Sequence, residues 1–234
     1  MLVPEVPDLA PPLPIWDPLV AMATAGIPDW FPYGVPVDPR YQIPILSAPS
    51  IDRLPRDASA FDKRGQARDL ATTLLHFYVQ DRKLASQALR PQQFVVSFAS
   101  AWGVTSPDYS MWAEGPEHLR ILAVHLNRMV GAYFQSRGLR VIPSLRWIDH
   151  RDYDYAFIGV EVGSAVSVST HGLWRAGELR QGFLNGLHEA LDRLNPPVVF
   201  VHGTVNHLVF RDIARKTELI HLADDRTRTK RKVA

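Results

Sequence analysis

The chain has 234 residues, 46% of them hydrophobic and 21% charged, with a formal net charge of +2 and a mean hydropathy of −0.09. That is a globular composition, of a length that suits one sizeable domain or a domain with an extension. It holds no cysteine, which excludes disulfides, thiolate metal sites and cysteine nucleophiles and fits a reducing compartment.

No stretch approaches the ~20 apolar residues that span a bilayer. The opening "MLVPEVPDLAPPLPIWDPLV" lacks the basic start and unbroken apolar run of a signal peptide, so a cytoplasmic location without membrane contact is expected. Thirteen of the 19 prolines lie in residues 1–57. Proline removes a backbone donor and pushes its predecessor towards extended geometry, so regular elements are not expected before about residue 65. Trp16, Trp30, Phe31, Tyr33 and Tyr41 give this stretch an apolar weight that disordered chains lack. It reads as an extended arm, residues 1–64, packed across the main domain or onto a partner.

Residues 65–225 read as an α/β domain. Leu74–Val79 is a first strand. Residues 82–101 are helical in two pieces, broken before Pro91, and "WGVTS" (102–106) is a second strand. The clearest helix spans 116–137: Pro116 starts it, Glu117 suits its positive end, and Gly138 stops it. Its positions 119, 122, 126, 129, 130 and 133 share one face. "LRVIPSLRW" (139–147) is a third strand, made irregular or bulged by Pro143. "SAVSVST" (164–170) is a fourth, and a second firm helix covers 178–195. "VVFVHG" (198–203), a short helix over 207–216 and "LIHLA" (219–223) complete the series. Residues 226–232, "RTRTKRK", hold five basic residues and no acid. Such a tail can hold phosphates through counterion release, or be a solvated terminus.

Strands alternating with helices call for a parallel sheet. About six βα-like units fit an open sheet or a small irregular barrel, and the barrel is favoured. Neither GxGxxG nor GxxxxGK[ST] follows any strand, which argues against a Rossmann or P-loop nucleotide site.

In either architecture ligands sit outside the carboxyl ends of the strands. Those ends carry Gln80 and Asp81; Asp108, Tyr109 and Ser110; Trp147, Asp149 and His150; Ser169, Thr170, His171 and Gly172; His202 and Gly203; Asp224 and Asp225. Each also suits a structural role: aspartates cap turns, His171 and His202 can be hydrogen-bonded loop or core histidines, and Trp147 and Tyr133 can pack. His202 and His207 lack metal-ligand spacing, and no metal site is expected. Asp149, Asp152 and Asp154 could bind Mg²⁺ but read equally well as a solvated loop. "SVSTHG" is not a GxSxG elbow, and a serine nucleophile needs a positioned base that sequence cannot show.

The segments "LHFYVQDRK", "TSPDYSMWAEGP", "LNRMVGAYFQSRGLRVIPSLRW", "YAFIGVEVGSAVSVSTHG" and "FLNGLHEALDRLNPPVVFVHG" follow one another as in the family called domain of unknown function 4417, which the chain resembles over residues 74–222. Residues 113–116, "AEGP", depart from the family's acid-x-Pro turn, and His202 stands where tyrosine is common. The resemblance implies an origin in a bacteriophage or mobile element, and hence the host cytoplasm. It carries over no catalytic residues. It draws notice to Asp81, Asp108, Ser110, Asn127, Arg128, Tyr133, Gln135, Pro143, Trp147, Ser169, Thr170, Gly172 and Gly203.

Two readings follow. One is an enzyme acting on a nucleotide, nucleic acid or other phosphate-bearing ligand. Asp81, Asp108 and Asp149 are its candidate catalytic residues, Arg128 or Arg146 its anion contact, and Trp147 or Tyr109 a stacking platform. Ser110, Tyr133, Gln135, Ser169, Thr170, His171 and His202 are further ligand-binding candidates. The other is a non-enzymatic accessory protein that binds a host or phage protein through the arm, with the tail adding nucleic-acid affinity. No cofactor is specified by either.

Overall fold

A computed structural model describes residue 32 and residues 34–171, 177–205 and 210–222. Seven strands run parallel and pair in chain order: β1 (Asp57–Ala60), β2 (Thr73–His76), β3 (Gly103–Thr105), β4 (Val141–Ile142), β5 (Val166–Ser169), β6 (Val198–His202) and β7 (Glu218–Leu222). The first four form one sheet and the last three another. A parallel bridge between Ser144 and Ser167 joins them. The connecting helices are α1 (Asp81–Leu89), α2 (Gln92–Phe98), α3 (Glu117–Ser136), the short α4 (Tyr153–Ala156) and α5 (Gly177–Leu194).

The elements follow the expected order with two additions. β1 lies inside the stretch expected to be irregular; Asp57–Ala60 carries small side chains and no apolar run to announce a strand. α4 is too short to show a period. Of the 207–216 helix, the described part contains a 3-10 turn at Ile213–Arg215. Pro143 breaks the third strand as expected: β4 has two residues, and the chain pairs again only at Ser144. At the end of α3, Gly138 takes φ +80°, with Gly138 N–H bonded to Gln135 O (2.9 Å) and Leu139 N–H to Phe134 O (3.1 Å). These two bonds satisfy orphan helix carbonyls in a Schellman turn.

Alternate strand residues face opposite sides. Outward residues of the first sheet, such as Leu75, Val104 and Val141, pack with α3 in one core. Those of the second, Val166, Val168, Val199 and Val201, pack with Phe183, Leu187 and Leu191 of α5 in another. Inward residues of both sheets meet in a third: Ala58, Leu74, Ile142, Phe200 and Leu222, with Trp102 edge-on to Phe200 at 6.0 Å. The two sheets therefore curl around a shared interior, although no ladder joins β7 to β1 among the described residues.

Burial on α3 is far wider than one stripe, reaching every residue from Leu126 to Phe134. The inner arm explains this. Residues 37–44 form a small hairpin closed by a Val37–Pro44 bridge, and Leu46 then pairs with Val160. Ile43 and Leu46 are fully buried, and the Gln135 side chain bonds both N–H and C=O of Ser47 (3.1 and 2.8 Å). This strap covers the side of α3 that would otherwise face water.

Gly159 sits where strap and helix meet, at φ +73°. A Cβ there would lie 2.5 Å from Pro44 O, 2.8 Å from Arg128 Cγ and 2.9 Å from Ile43 Cγ2. Gly163 shares a positive φ of +84° but would meet nothing within 4 Å. Gly163→Ala should therefore cost about 1–2 kcal/mol of conformational strain, and Gly159→Ala about 3 kcal/mol or more through added overlap. Urea unfolding of both variants checks this, and equal losses would contradict the packing.

Candidate functional site

On three strands the inward positions change from apolar to polar towards the carboxyl end. On β2, Leu74 is followed two residues later by His76 and then Tyr78; before and along β5, Ala165 by Ser167 and then Ser169; on β6, Phe200 by His202. Their side chains meet across the interior. The His76 and His202 rings lie 4.5 Å apart, Tyr78 stacks on His202 at 4.9 Å, and the Tyr78 hydroxyl donates to Ser167 Oγ (2.7 Å). Ser169 Oγ lies 3.3 Å from His202 Nδ1.

Residues just beyond the strands complete this mouth. Arg146, after β4, grips Asp108, after β3, in a bidentate pair: Nε donates to Oδ1 at 2.8 Å and Nη2 donates to Oδ2. Asp108 is 5% exposed, whereas the Arg146 side chain keeps 37% exposure, and its Nη1 has no hydrogen-bond partner among the described residues. Burial disfavours the Arg146 charge, but Asp108, Asp81 and Tyr78 outweigh it and hold the guanidinium protonated. Asp81, the first residue of α1, accepts bonds from the Ser110 N–H (3.3 Å) and hydroxyl (3.1 Å). Burial nevertheless raises its pKa, and the nearby Asp108 adds to the rise against the pull of Ser110 and Arg146. Burial and Asp108 likewise push the Tyr78 phenol well above its usual range.

Asp81 is thus joined to Ser110, Asp108 to Arg146 and Ser169 to His202, and Tyr78, stacked on His202, feels the charge of Asp108. Asp149 stands apart: it caps a 3-10 turn and pairs with Arg151, whose hydrogen bonds pull its pKa down to about 2. Arg128 is a structural staple. Its Nε donates to Ile158 O (3.0 Å), Nη1 to Ser144 O (2.9 Å) and Nη2 to Ala156 O (3.2 Å), and burial lowers its pKa to about 9. Its neighbour Asn127 donates to Pro107 O (2.6 Å) and Ser144 Oγ (2.9 Å), tying the ends of β3 and β4.

Trp147 is stacked on Phe183 of α5 at 5.5 Å and donates to Gly182 O, so it packs the core rather than offering a platform. Tyr109 is also core, 2% exposed, its hydroxyl without a hydrogen-bond partner among the described residues. Tyr133, on α3, is buried, with Arg137 over its ring. Gln135 holds the strap. Thr170 Oγ1 donates to His202 O (3.2 Å) and Thr204 O (2.9 Å), clamping β5 to β6. His171 is exposed, its N–H donating to Ser169 Oγ (3.2 Å). Gly172, His207, Asp224 and Asp225 lie outside the described residues. Sequence reasoning missed His76, Tyr78 and Ser167; the signal was the two-residue period in "LLHFY" and "VSVS", continued past the apolar positions. Among the described residues no group of three or more His, Asp or Glu side chains is placed to hold a metal ion, and no helix is long and apolar enough to cross a membrane.

The chain belongs to the family described as a domain of unknown function (DUF4417), whose profile matches residues 35–222. It is 28% identical over 144 residues, 62% of its length, to the "Gene 1 protein" of Mycobacterium phage L5. It is 29% identical over 134 residues, 57% of its length, to the "Gene 1 protein" of Mycobacterium phage D29. The matches span 63% and 49% of those phage proteins. No solved structure matches.

Two outcomes follow from the charged groups. The shift of Asp81 is upward, so the folded state holds that proton more tightly than the unfolded one; its contribution is present at acid pH and lost as pH rises through the folded pKa. Asp81→Asn keeps an acceptor for Ser110 and should match the native chain near pH 4 but melt higher at pH 7. A variant that melts lower at pH 7 would contradict the burial argument. For Arg128, a lysine cannot reach three carbonyls at once, so Arg128→Lys should lose about 2–4 kcal/mol in denaturant unfolding despite the kept charge.

Proposed function

We propose that this member of the family is an enzyme acting on a phosphate-bearing ligand, a nucleotide or nucleic acid, held over the carboxyl ends of the strands. Arg146 is the anion contact, Asp108 the group that orients it, and Asp81 the group that gives and takes a proton. The observation that carries this reading is the Arg146 guanidinium, fixed on one edge by buried Asp108 while its side chain stays partly exposed. A cation locked by a carboxylate presents its remaining donors without losing further side-chain freedom, as an anion site requires. Asp81, with a raised pKa beside it, is suited to proton transfer nearer neutral pH than an ordinary aspartate.

The accessory reading rests on the arm. Residues 34–48 commit Ile43 and Leu46 to the domain interior, which leaves residues 1–31, outside the described residues, as the surface it needs.

Thermal melting with a ligand panel tests the proposal. Nucleotides, inorganic phosphate and short oligonucleotides should raise Tm, and the matching nucleosides without phosphate should not. Arg146→Lys, which loses the fork, should weaken the phosphate effect about tenfold. The proposal fails if no phosphate compound raises Tm, or if the effect survives Arg146→Lys but disappears when residues 226–232 are removed.

A further inference from the structure

We infer that Ser169 is a nucleophile and His202 its general base, acting on the phosphate ester that the proposed site would hold. The inference rests on that reading for its substrate and on separate geometry for its chemistry. Ser169 and His202 are register partners on adjacent strands, and Ser169 Oγ lies 3.3 Å from His202 Nδ1. The serine oxygen already accepts the His171 N–H at 3.2 Å. Its own proton is therefore free to point at Nδ1, the direction in which a base would remove it. A partly exposed Ser169 meets a buried His202, so the hydroxyl opens to the mouth while the imidazole is held behind it.

The pair is also rigid. Thr170 N–H donates to His202 O (2.9 Å), and the Thr170 hydroxyl bridges His202 O and Thr204 O. Gly203, at φ +99°, turns the chain directly beneath: a Cβ there would come within 2.8 Å of Thr170 Oγ1. Among the described residues the His76 and Tyr78 rings lie against His202, at 4.5 and 4.9 Å between ring centroids. Tyr78 also lies within electrostatic reach of Arg146 and Asp108, which links the pair to the anion contact.

In the step proposed, Ser169 Oγ attacks phosphorus and its proton passes to His202 Nδ1. The bond from phosphorus to the leaving oxygen breaks, and that oxygen takes the proton held by Asp81. Water then attacks the phosphoserine and gives a proton to Asp81. As the phosphorus–Oγ bond breaks, Oγ recovers its proton from His202.

The native chain has no cysteine, so Ser169→Cys carries a single thiol whose alkylation rate by iodoacetamide can be followed against pH. With His202 as its base, the midpoint should fall to about 7.5 or below, and His202→Asn in the same background should return it towards the ~8.5 of a free thiol. The native chain, treated with a fluorophosphonate, should gain one adduct on Ser169, slowed about 100-fold by His202→Asn. A midpoint near 8.5 that ignores His202, or no adduct on Ser169, overturns the nucleophile. If phosphate compounds still raise Tm in that case, the anion site of Arg146 stands without it. A lowered midpoint in a chain that binds no phosphate keeps the nucleophile and overturns phosphate as its target.

Discussion

Arg128 carries a positive charge in the interior of the domain, and among the described residues no carboxylate is bonded to it. Burial alone would make this costly by several kcal/mol. The charge is tolerated because backbone dipoles replace water: the guanidinium is bonded to the carbonyls of Ser144, Ala156 and Ile158. Those three carbonyls fix the path of the chain from β4 to Gly159. Ser144 is the residue that bridges to Ser167 and joins the two sheets, and Arg146 follows two positions on. The strap docks at the other end of the same stretch, where Leu46 N–H bonds Gly159 O (2.9 Å). One side chain of α3 therefore sets the junction of the sheets, the approach of Arg146 to Asp108 and the seat of the arm.

A second constraint is geometric. Parallel strands in chain order send every carboxyl end the same way, and a period of two sends alternate side chains inward. On β2 and β6 the inward residues are apolar near the start and polar near the end, so the interior there is apolar below and hydrogen-bonded above. Asn127 of α3 and Ser106 brace the strand ends from the helix side: Ser106 Oγ donates to Asn127 Oδ1 (2.8 Å) and accepts the Ser144 N–H (2.8 Å). Asn127 also donates to Pro107 O, so the strand ends that carry Asp108 and Arg146 cannot easily separate.

Most of the elements were legible in the sequence because their signals are local. A Schellman glycine ends α3, Pro91 separates α1 from α2, and unbroken Val/Phe runs mark β6. β1 was not, since "DASA" becomes a strand only through β2 beside it. The residues of the mouth were legible in part. Asp81, Asp108, Ser110, Ser169 and His202 sit at strand ends that chain order alone places together. Asp149 occupies an equivalent position but turns to Arg151, because a charged neighbour two residues away is nearer than anything across the mouth. The prominence of Arg128, Trp147 and Gln135 was visible without its reason. A buried staple, a core ring and a strap anchor look in one dimension like ligand contacts.

The strap also bears on how the chain is made. Within each sheet every strand pairs with the strand before it, so the sheets can grow stepwise as the polypeptide emerges from a ribosome. Residues 34–48 precede the elements they pack on, and their partners include Gln135, Gly159 and Glu161. Over a hundred residues must follow before Ile43 and Leu46 can be buried. Until then those two side chains lack their native cover, and closure of the strap is a late, non-local event in folding.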